Sequence, residues 1–401
     1  MAAQPVYFGS ARQSLLDARE TLPAKLDLIL DALNLRERVR GERVCIKMHL
    51  GGNIGYSTVH PVFVRKVVQA IKDGGGDPFV CDTSSAVATA ATRGYTDETL
   101  GCPLLPTGGA SEDDYIVHEY PFKGMREWRM GRAIAESSFL VDLAHVKGHP
   151  ATSFGAAHKN LALGAYMWHT RSRMHDTMHF DQYWFGDKTT SDPALLQSIV
   201  DACPFEAMSI DRDNAANLHL HAEQCNQCGR CLAAAPAGSL RIQPENFLAF
   251  QEANAIAVKL CLDTFAKEKR IFINLATQMT AVCDCFGFTG LPVLPDVGVF
   301  GSNDIVAIEE ATLDTIASLT LVKENMPLSM EAHVCSDSPT HRSHGPLHPF
   351  QVLHGPYKDP YSVVRYSEAL GNGSRFYDLV DVFPVRAPER ITRSVISAAS
   401  L

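Results

Sequence analysis

The sequence predicts an α/β protein: a mostly parallel sheet covered on both faces, interrupted near its middle by a small inserted α+β module. Three observations carry this. Short apolar runs alternate with helix-period segments on both sides of the chain's centre. Several of those runs end in Lys, His or Asp, as strands do when they deliver polar groups to one edge of a parallel sheet. Between the two stretches lies a cysteine-rich segment with a pattern of its own.

The elements follow in order. Arg43-Val-Cys-Ile-Lys-Met-His-Leu50 reads as a buried strand. A helix is predicted from about His60 to Asp73, with Val62, Val64, Val67, Val68 and Ile71 on its apolar face, and Gly74-Gly75-Gly76 stops it. Pro78–Asp82 is the next strand. A helix near Glu127–Glu136 precedes the strand Phe139–Lys147. After the insert come a helix near Ala253–Ala266, the strand Arg270–Leu275 and a helix near Asp304–Leu319. Residues 325–355, rich in His, Ser and Pro, read as a surface loop, and Tyr361–Leu401 as a mixed tail that packs back on the domain. The α/β domain is therefore discontinuous, 1–186 and 244–401, around an insert at 187–243.

The insert contains Cys225-Asn-Gln-Cys228-Gly-Arg-Cys231, with Cys203-Pro204 upstream. Three thiolates at two-residue gaps can wrap one corner of an iron–sulfur cube, and a remote Cys-Pro supplies the fourth ligand. A two-cluster bacterial ferredoxin has two copies of this run, each lending its last Cys to the other cluster. Both copies are visible, and both are edited in a complementary way. Pro193, Leu196, Ile199 and Ala235 occupy the ligand positions of one cluster; Cys203, Cys225, Cys228 and Cys231 retain those of the other. Asn217–His221 reads as the return strand of a hairpin. The expectation is a ferredoxin-like module holding one [4Fe–4S] cluster, in preference to a zinc knuckle, which more often uses two separated Cys-x2-Cys pairs.

A second constellation sits at strand ends. His145, Lys147 and His149 are spaced by two, which puts them on one face of an extended chain. Lys47 and His49 end an earlier strand with the same spacing, and Asp82 ends another. Lys159 and Asn160 lead into a helix, and His175 and His179 are four apart. Two chemistries fit. In one, Lys47, Lys147 and Lys159 hold an anion while His145 or His149 moves protons. In the other, His145, His149 and a further His hold a divalent metal. His49, Asp82, Asn160 and His175 are further substrate-binding candidates. Cys283-Asp-Cys285 is a separate thiol pair that could bind metal, cycle redox state, act on substrate or compete with Cys203 for the cluster. Cys45 and Cys81, in apolar runs, read as small core residues.

Composition bounds the rest. In 401 residues, a net charge of −9 with no basic run argues against nucleic acid as partner. No run of apolar residues is long enough for a membrane span, and the N-terminus does not read as a signal peptide. Eleven cysteines, four at cluster spacing, imply reduced thiols and a cytoplasmic protein. The expected function is an iron–sulfur oxidoreductase or electron-transfer protein, served by a redox partner protein and passing single electrons to an anionic small molecule or partner at the His/Lys pocket. The alternative is a non-redox isomerase or lyase on an acidic metabolite, with the cluster structural. Oligomeric state is not legible.

Five stretches resemble the DUF362 family of iron–sulfur center proteins. They are Ile46–Gly52; Pro78–Thr83; His145-Val-Lys-Gly-His149 with Phe154–Asn160; Cys283-Asp-Cys285 with Pro295–Gly298; and Ser302–Ala307. The resemblance implies an α/β fold, ferredoxin-type motifs and a redox role. The chain departs from the family pattern in keeping one cluster site, in Ile305 in place of Pro, in Glu309 in place of Asp, and in His158 where an apolar residue is expected.

Overall fold

The computed structural model describes residues 3–179, 192–203, 206–210, 218–220, 230–237, 239–240, 244–326, 346–355 and 357–384. Its centre is an eight-stranded sheet. The sheet strands in chain order are β1 (Gln4–Ser10), β2 (Arg43–Met48), β3 (Asp77–Asp82) and β4 (Leu104–Pro106). The hairpin strands β5 (Tyr115–Phe122) and β6 (Met125–Gly131) stand apart from it. Then come β7 (Phe139–His145), the small hairpin β8 (Lys147–His149) and β9 (Ser153–Gly155), and the insert's pair β10 (Met208–Ile210) and β11 (Leu218–Leu220). The chain returns to the sheet with β12 (Arg270–Ala276), β13 (Gly298–Ser302) and β14 (Tyr377–Asp381). The sheet order is β14-β1-β13-β12-β7-β2-β3-β4. The block β12-β7-β2-β3-β4 is parallel throughout, and only the pairings of β13 with its two neighbours are antiparallel. A run of parallel strands puts all their carboxyl ends on one edge, where ligands bind in open α/β sheets.

Alternation along each strand divides the core in two. Val44, Ile46, Val80, Val141, Leu143, Ile271 and Ile273 face one layer, packed under the helices Leu22–Ala32 and Pro61–Asp73. Cys45, Phe79, Cys81, Leu140, Ala144, Phe272 and Phe300 face the other, under the helices Ala157–Gly164, Pro244–Leu262, Ile305–Ala317 and Tyr361–Ala369. Strands buried on both faces read as continuous apolar runs, which is why they were visible in the sequence. Cys45 and Cys81 are fully buried on adjacent strands, their sulfurs 3.2 Å apart.

Helix starts follow local chemistry. Pro61 opens its helix and His60 caps it by accepting from the Val62 N–H at 3.2 Å. Val62 itself, placed on the apolar face by period, is 40% exposed. The Asp304 carboxylate accepts from the backbone N–H groups of Val306, Ala307 and Ser374, which ties the helix Ile305–Ala317 to the C-terminal segment. That segment adds β14 parallel to β1 at the sheet edge.

Two expectations need correction. The predicted helix near Glu127–Glu136 is strand β6 followed by the short helical turn Arg132–Ala135. Trp128 and Met130 alternate inward, and the Trp128 indole N–H donates to the Tyr120 carbonyl across the hairpin at 2.9 Å. The surface loop read at 325–355 fails at its C-terminal end. Residues 327–345 lie outside the described residues, but Pro349–His354 is a helix capped by His348, with Phe350, Leu353 and His354 buried. Its polar composition hid two apolar anchors, Leu353 and Phe350, the latter stacked on Phe154 with ring centroids 5.7 Å apart.

In the insert, the described residues form the helix Pro193–Asp201, the antiparallel pair β10–β11 and the helix Arg230–Ala234. Leu196, Ile199, Met208, Leu218 and Leu240 make a small separate core, and Cys203, Cys231 and Ala235 pack half-buried against it. Cys225 and Cys228 lie outside the described residues. Among the described residues no helix is long and apolar enough to cross a membrane.

Because Phe350 is fully buried, Phe350→Ala is expected to destabilise the protein by about 3–5 kcal/mol. Urea unfolding measures this; a change within about 0.5 kcal/mol, as for a surface position, would return the segment to a loop.

Candidate functional site

At the carboxyl edge of the parallel block lies a cavity of about 950 Å³. Its walls come from the ends of β2, β3 and β7, the β8–β9 hairpin, the helices Ala157–Gly164 and Trp168–Asp176, and the loop after β12. Lys47, His49, Asp82, His145, Lys147, His149, Lys159, Asn160, His175 and Cys285 all line it. Residues far apart in the chain therefore meet at one place. His179 ends a 3-10 turn next to the helix that carries His175.

The floor is a buried polar network. Lys47 points to the face that otherwise carries Cys45, and its ammonium donates to the Asp82 carboxylate (3.0 Å), the Asn160 side-chain carbonyl (2.9 Å) and the Met48 carbonyl (3.0 Å). A lysine has three donors, so Lys47 has none left for an anion. Its expected role as an anion holder is corrected to that of a strut. Asn160 is equally occupied: its amide donates to Asp142 at 2.6 Å and to the Lys47 carbonyl at 2.9 Å. Asp82 accepts also from the Leu50 N–H at 2.9 Å and lies 3.3 Å from His49 Nδ1. Burial would push the Asp82 carboxyl up, but the Lys47 ammonium and the His49 hydrogen bond outweigh it and hold it well below the usual range. Burial pushes the Asp142 carboxyl well up, against the bond from Asn160.

The three residues of the His-Val-Lys-Gly-His run do not lie on one strand. β7 ends at His145, and Lys147 and His149 belong to the β8 hairpin. His145 Nε2 donates to the Thr277 carbonyl at 2.7 Å, and Nδ1 accepts from the Lys147 ammonium at 3.1 Å. Both ring nitrogens are spent, so His145 positions Lys147 and is not placed to carry protons or a metal. His149 Nδ1 accepts from two backbone N–H groups, those of Ala151 (3.1 Å) and Thr152 (3.2 Å). Its proton must then sit on Nε2, which lies 3.5 Å from Cys285 Sγ. Burial first, then the Lys147 charge, lowers His145 to about 3; burial and Lys159 hold His149 well below its ordinary value.

The thiol pair belongs to this cavity. Cys283 starts a 3-10 turn, Asp284–Phe286, that Gly287 closes in the left-handed region (φ 80°). Cys283 is buried and Cys285 is exposed to the cavity. The Lys159 ammonium reaches both sulfurs, at 3.5 and 3.7 Å. Burial pushes the Cys283 thiol up, but the Cys285 S–H and the Lys159 and Lys147 charges outweigh it, so Cys283 is held well below the usual thiol range and Cys285 well above. Asp284 between them is fully buried. It accepts from the Ser57 N–H and hydroxyl and from Thr289, and Lys147 lies 3.7 Å away. A Cβ on Gly55 would sit 2.8 Å from the Asp284 carbonyl oxygen, so the loop over the turn must pass there as glycine. A ring nitrogen of His49 and the sulfurs of Cys283 and Cys285 lie within 4.8 Å of one another, a group that can hold a metal ion.

The sequence did not single out Asp284, Asp142, Trp168 or Arg171. Asp284 sat in plain view between the two cysteines. The last two line the far wall, where Arg171 pairs with Glu112 at 2.9 Å, and no motif marks them. His158 and Glu309, two departures from the family pattern, meet: both are buried, with Nδ1 and Oε1 3.7 Å apart and the His158 N–H donating to Glu309 at 2.9 Å.

Two outcomes test this geometry. A Cβ at Gly164 would lie 2.3 Å from Cε and Nζ of Lys47, so Gly164→Ala should cost about 1–3 kcal/mol in urea unfolding. An unchanged midpoint would mean that Lys47 is free to move. His145 at about 3 and His348 at about 4, both lowered chiefly by burial, stay neutral in the fold where an unfolded His near 6.5 takes up a proton. The stability they contribute is complete above about pH 6.5 and is lost as pH falls toward those folded values, each adding a slope of at most about 1.4 kcal/mol per pH unit. Denaturant unfolding between about pH 7 and about pH 5 should show the loss, and His348→Asn, which keeps a capping side chain, should flatten it; an equally steep variant profile would remove His348 from the account.

The comparisons with known proteins give a family and no chemistry. No curated protein matches the sequence. Among solved structures, the lactate racemase apoprotein from Thermoanaerobacterium thermosaccharolyticum is similar at 11% identity with a TM-score of 0.29, over 45% of this chain and 43% of that one. The chain thus spans less than half of that protein. The model of the family DUF362, described as a domain of unknown function, matches residues 44–314, which include every strand-end residue of the cavity, and the chain belongs to that family.

Proposed function

We propose that the chain is an iron–sulfur oxidoreductase acting on an anionic small molecule in the cavity, with one [4Fe–4S] cluster in the insert as its electron supply. The observation that carries the cavity half is the shared ammonium of Lys159 over Cys283 and Cys285 at the edge where the parallel strands end. Lys147 and Lys159 supply positive charge to an anion there, and the thiolate and the His149 Nε2–H are the groups that can exchange electrons or protons with it.

The cluster half rests on the cysteine spacing, and the described part of the insert fits it. Cys203 and Cys231, from separate segments, pack against the same small core, while Leu196, Ile199 and Ala235, at positions of the lost ligands, serve that core. Cys203, Cys225, Cys228 and Cys231 would hold the cluster, which when bound supplies single electrons and, with four thiolates, has no open iron. A redox partner protein would reduce it.

Anaerobically purified protein should contain about four irons and four sulfides per chain and give one S = 1/2 signal on reduction. Cys225→Ser should abolish both. Absence of iron, or about eight irons, overturns the assignment. Iron with ligand binding indifferent to the cluster's redox state would instead favour the non-redox isomerase or lyase, with a structural cluster.

A further inference from the structure

We propose that His49 Nε2, Cys283 Sγ and Cys285 Sγ bind one zinc-class divalent ion, leaving a fourth coordination position open to the cavity for an anionic donor of the ligand. The proposal rests on reading the cavity as the active site, and not on the cluster.

The donors are close to the spacing such an ion needs. In a tetrahedral site with metal–sulfur bonds of about 2.3 Å, two sulfurs stand about 3.8 Å apart. A ring nitrogen of His49 and the two sulfurs lie within 4.8 Å of one another, so small side-chain rotations close the site.

His49 is aimed. Its Nδ1 faces the Asp82 carboxylate at 3.3 Å, which puts the proton on Nδ1 and the lone pair on Nε2. Nε2 is buried and has no hydrogen-bond partner among the described residues. A buried polar atom without a partner is costly, and a metal removes that cost. Carboxylate–histidine–metal is the usual way in which a ligating imidazole is oriented. Asp82 is itself fixed by Lys47 and the Leu50 N–H, so the orientation is built and not incidental.

The other histidines are disqualified by their partners. His145 uses both nitrogens, on Thr277 and Lys147. His149 must keep its proton on Nε2 because two backbone N–H groups occupy Nδ1; it serves Cys285 as a hydrogen-bond donor at 3.5 Å. The expectation of a metal on His145, His149 and a third His is thereby replaced by one on His49 and two thiolates.

Two thiolates and an imidazole select zinc-class ions over magnesium or calcium. Three protein donors with an open position is the pattern of a reactive site, where structural zinc sites close with four. Charge agrees. Two thiolates neutralise a divalent ion and Asp284 balances Lys147 at 3.7 Å, so the Lys159 ammonium then remains for an anionic oxygen on the fourth position.

The test is metal stoichiometry and cobalt spectroscopy on the full chain. Protein isolated without chelators should carry one zinc per chain beside its iron. In Cys225→Ser, freed of cluster absorbance, cobalt(II) should give thiolate-to-cobalt charge-transfer bands and the visible bands of a tetrahedral ion, saturating at one cobalt and displaced by zinc. Inorganic phosphate should shift the visible bands. Cys285→Ser and His49→Gln should each weaken cobalt binding beyond the roughly 10–100-fold expected for loss of a supporting residue, while Cys102→Ser, buried elsewhere, should bind as before. A silent titration, or bands that survive both substitutions, overturns the site; bands indifferent to phosphate overturn the open position. Should Cys285→Ser fail to fold, His49→Gln carries the test. Loss of iron with the cobalt site intact sinks only the cluster, and iron without a cobalt site sinks only this proposal.

Discussion

One buried ammonium holds the cavity together. Lys47 is fully buried on a central strand of the sheet, and a buried charge is tolerable only when it is paired and every donor is used. Its three bonds go to its own strand end, to β3 and to the helix Ala157–Gly164. Those three elements therefore cannot shift independently. Asp82, once drawn to Lys47, fixes the ring of His49; Asn160, once drawn to Lys47, fixes the turn of helix that presents Lys159 to the thiols. The catalytic-looking groups at the rim owe their positions to a residue that meets no ligand.

That division of labour sets what the sequence could tell. The strand ends were legible because polar residues at a spacing of two interrupt apolar runs, and a parallel sheet gathers such ends on one edge. Roles were not legible, because they depend on partners distant in the chain. Nothing near Lys47 announces that Asn160 will take one of its protons, and nothing near His149 announces that the Ala151 and Thr152 N–H groups will dictate its tautomer. The same limit explains the errors of fold. The segment around Trp128 has enough charge to pass for an amphipathic helix until Tyr120 supplies a hairpin partner, and Phe350 and Leu353 are two anchors in a polar stretch.

The departures from the family pattern gain meaning together. His158 and Glu309 are each odd alone: an imidazole in an apolar core and a longer acid where a shorter one is expected. In the fold they face one another, fully buried, at the seam between the helices Ala157–Gly164 and Ile305–Ala317. The His158 backbone N–H donates to Glu309, but both ring nitrogens of His158 and the second Glu309 oxygen have no hydrogen-bond partner among the described residues, so the pair leaves an under-satisfied polar contact behind the cavity wall. In the insert, Leu196 and Ile199 fill the small core and Ala235 packs against it.

The Cys-Asp-Cys turn has one more consequence. Asp284 belongs to the thiol turn by sequence but to the glycine-rich loop by bonding, through Ser57 and the Gly52 N–H to its carbonyl. The two lips are thus riveted into a single jaw that carries both sulfurs. The opposing wall is tied elsewhere, where Glu112 accepts from the Trp168 N–H and the Arg171 guanidinium. The two sides of the cavity are thus anchored to different parts of the chain, the sulfurs to the glycine-rich loop and the indole and guanidinium to Glu112.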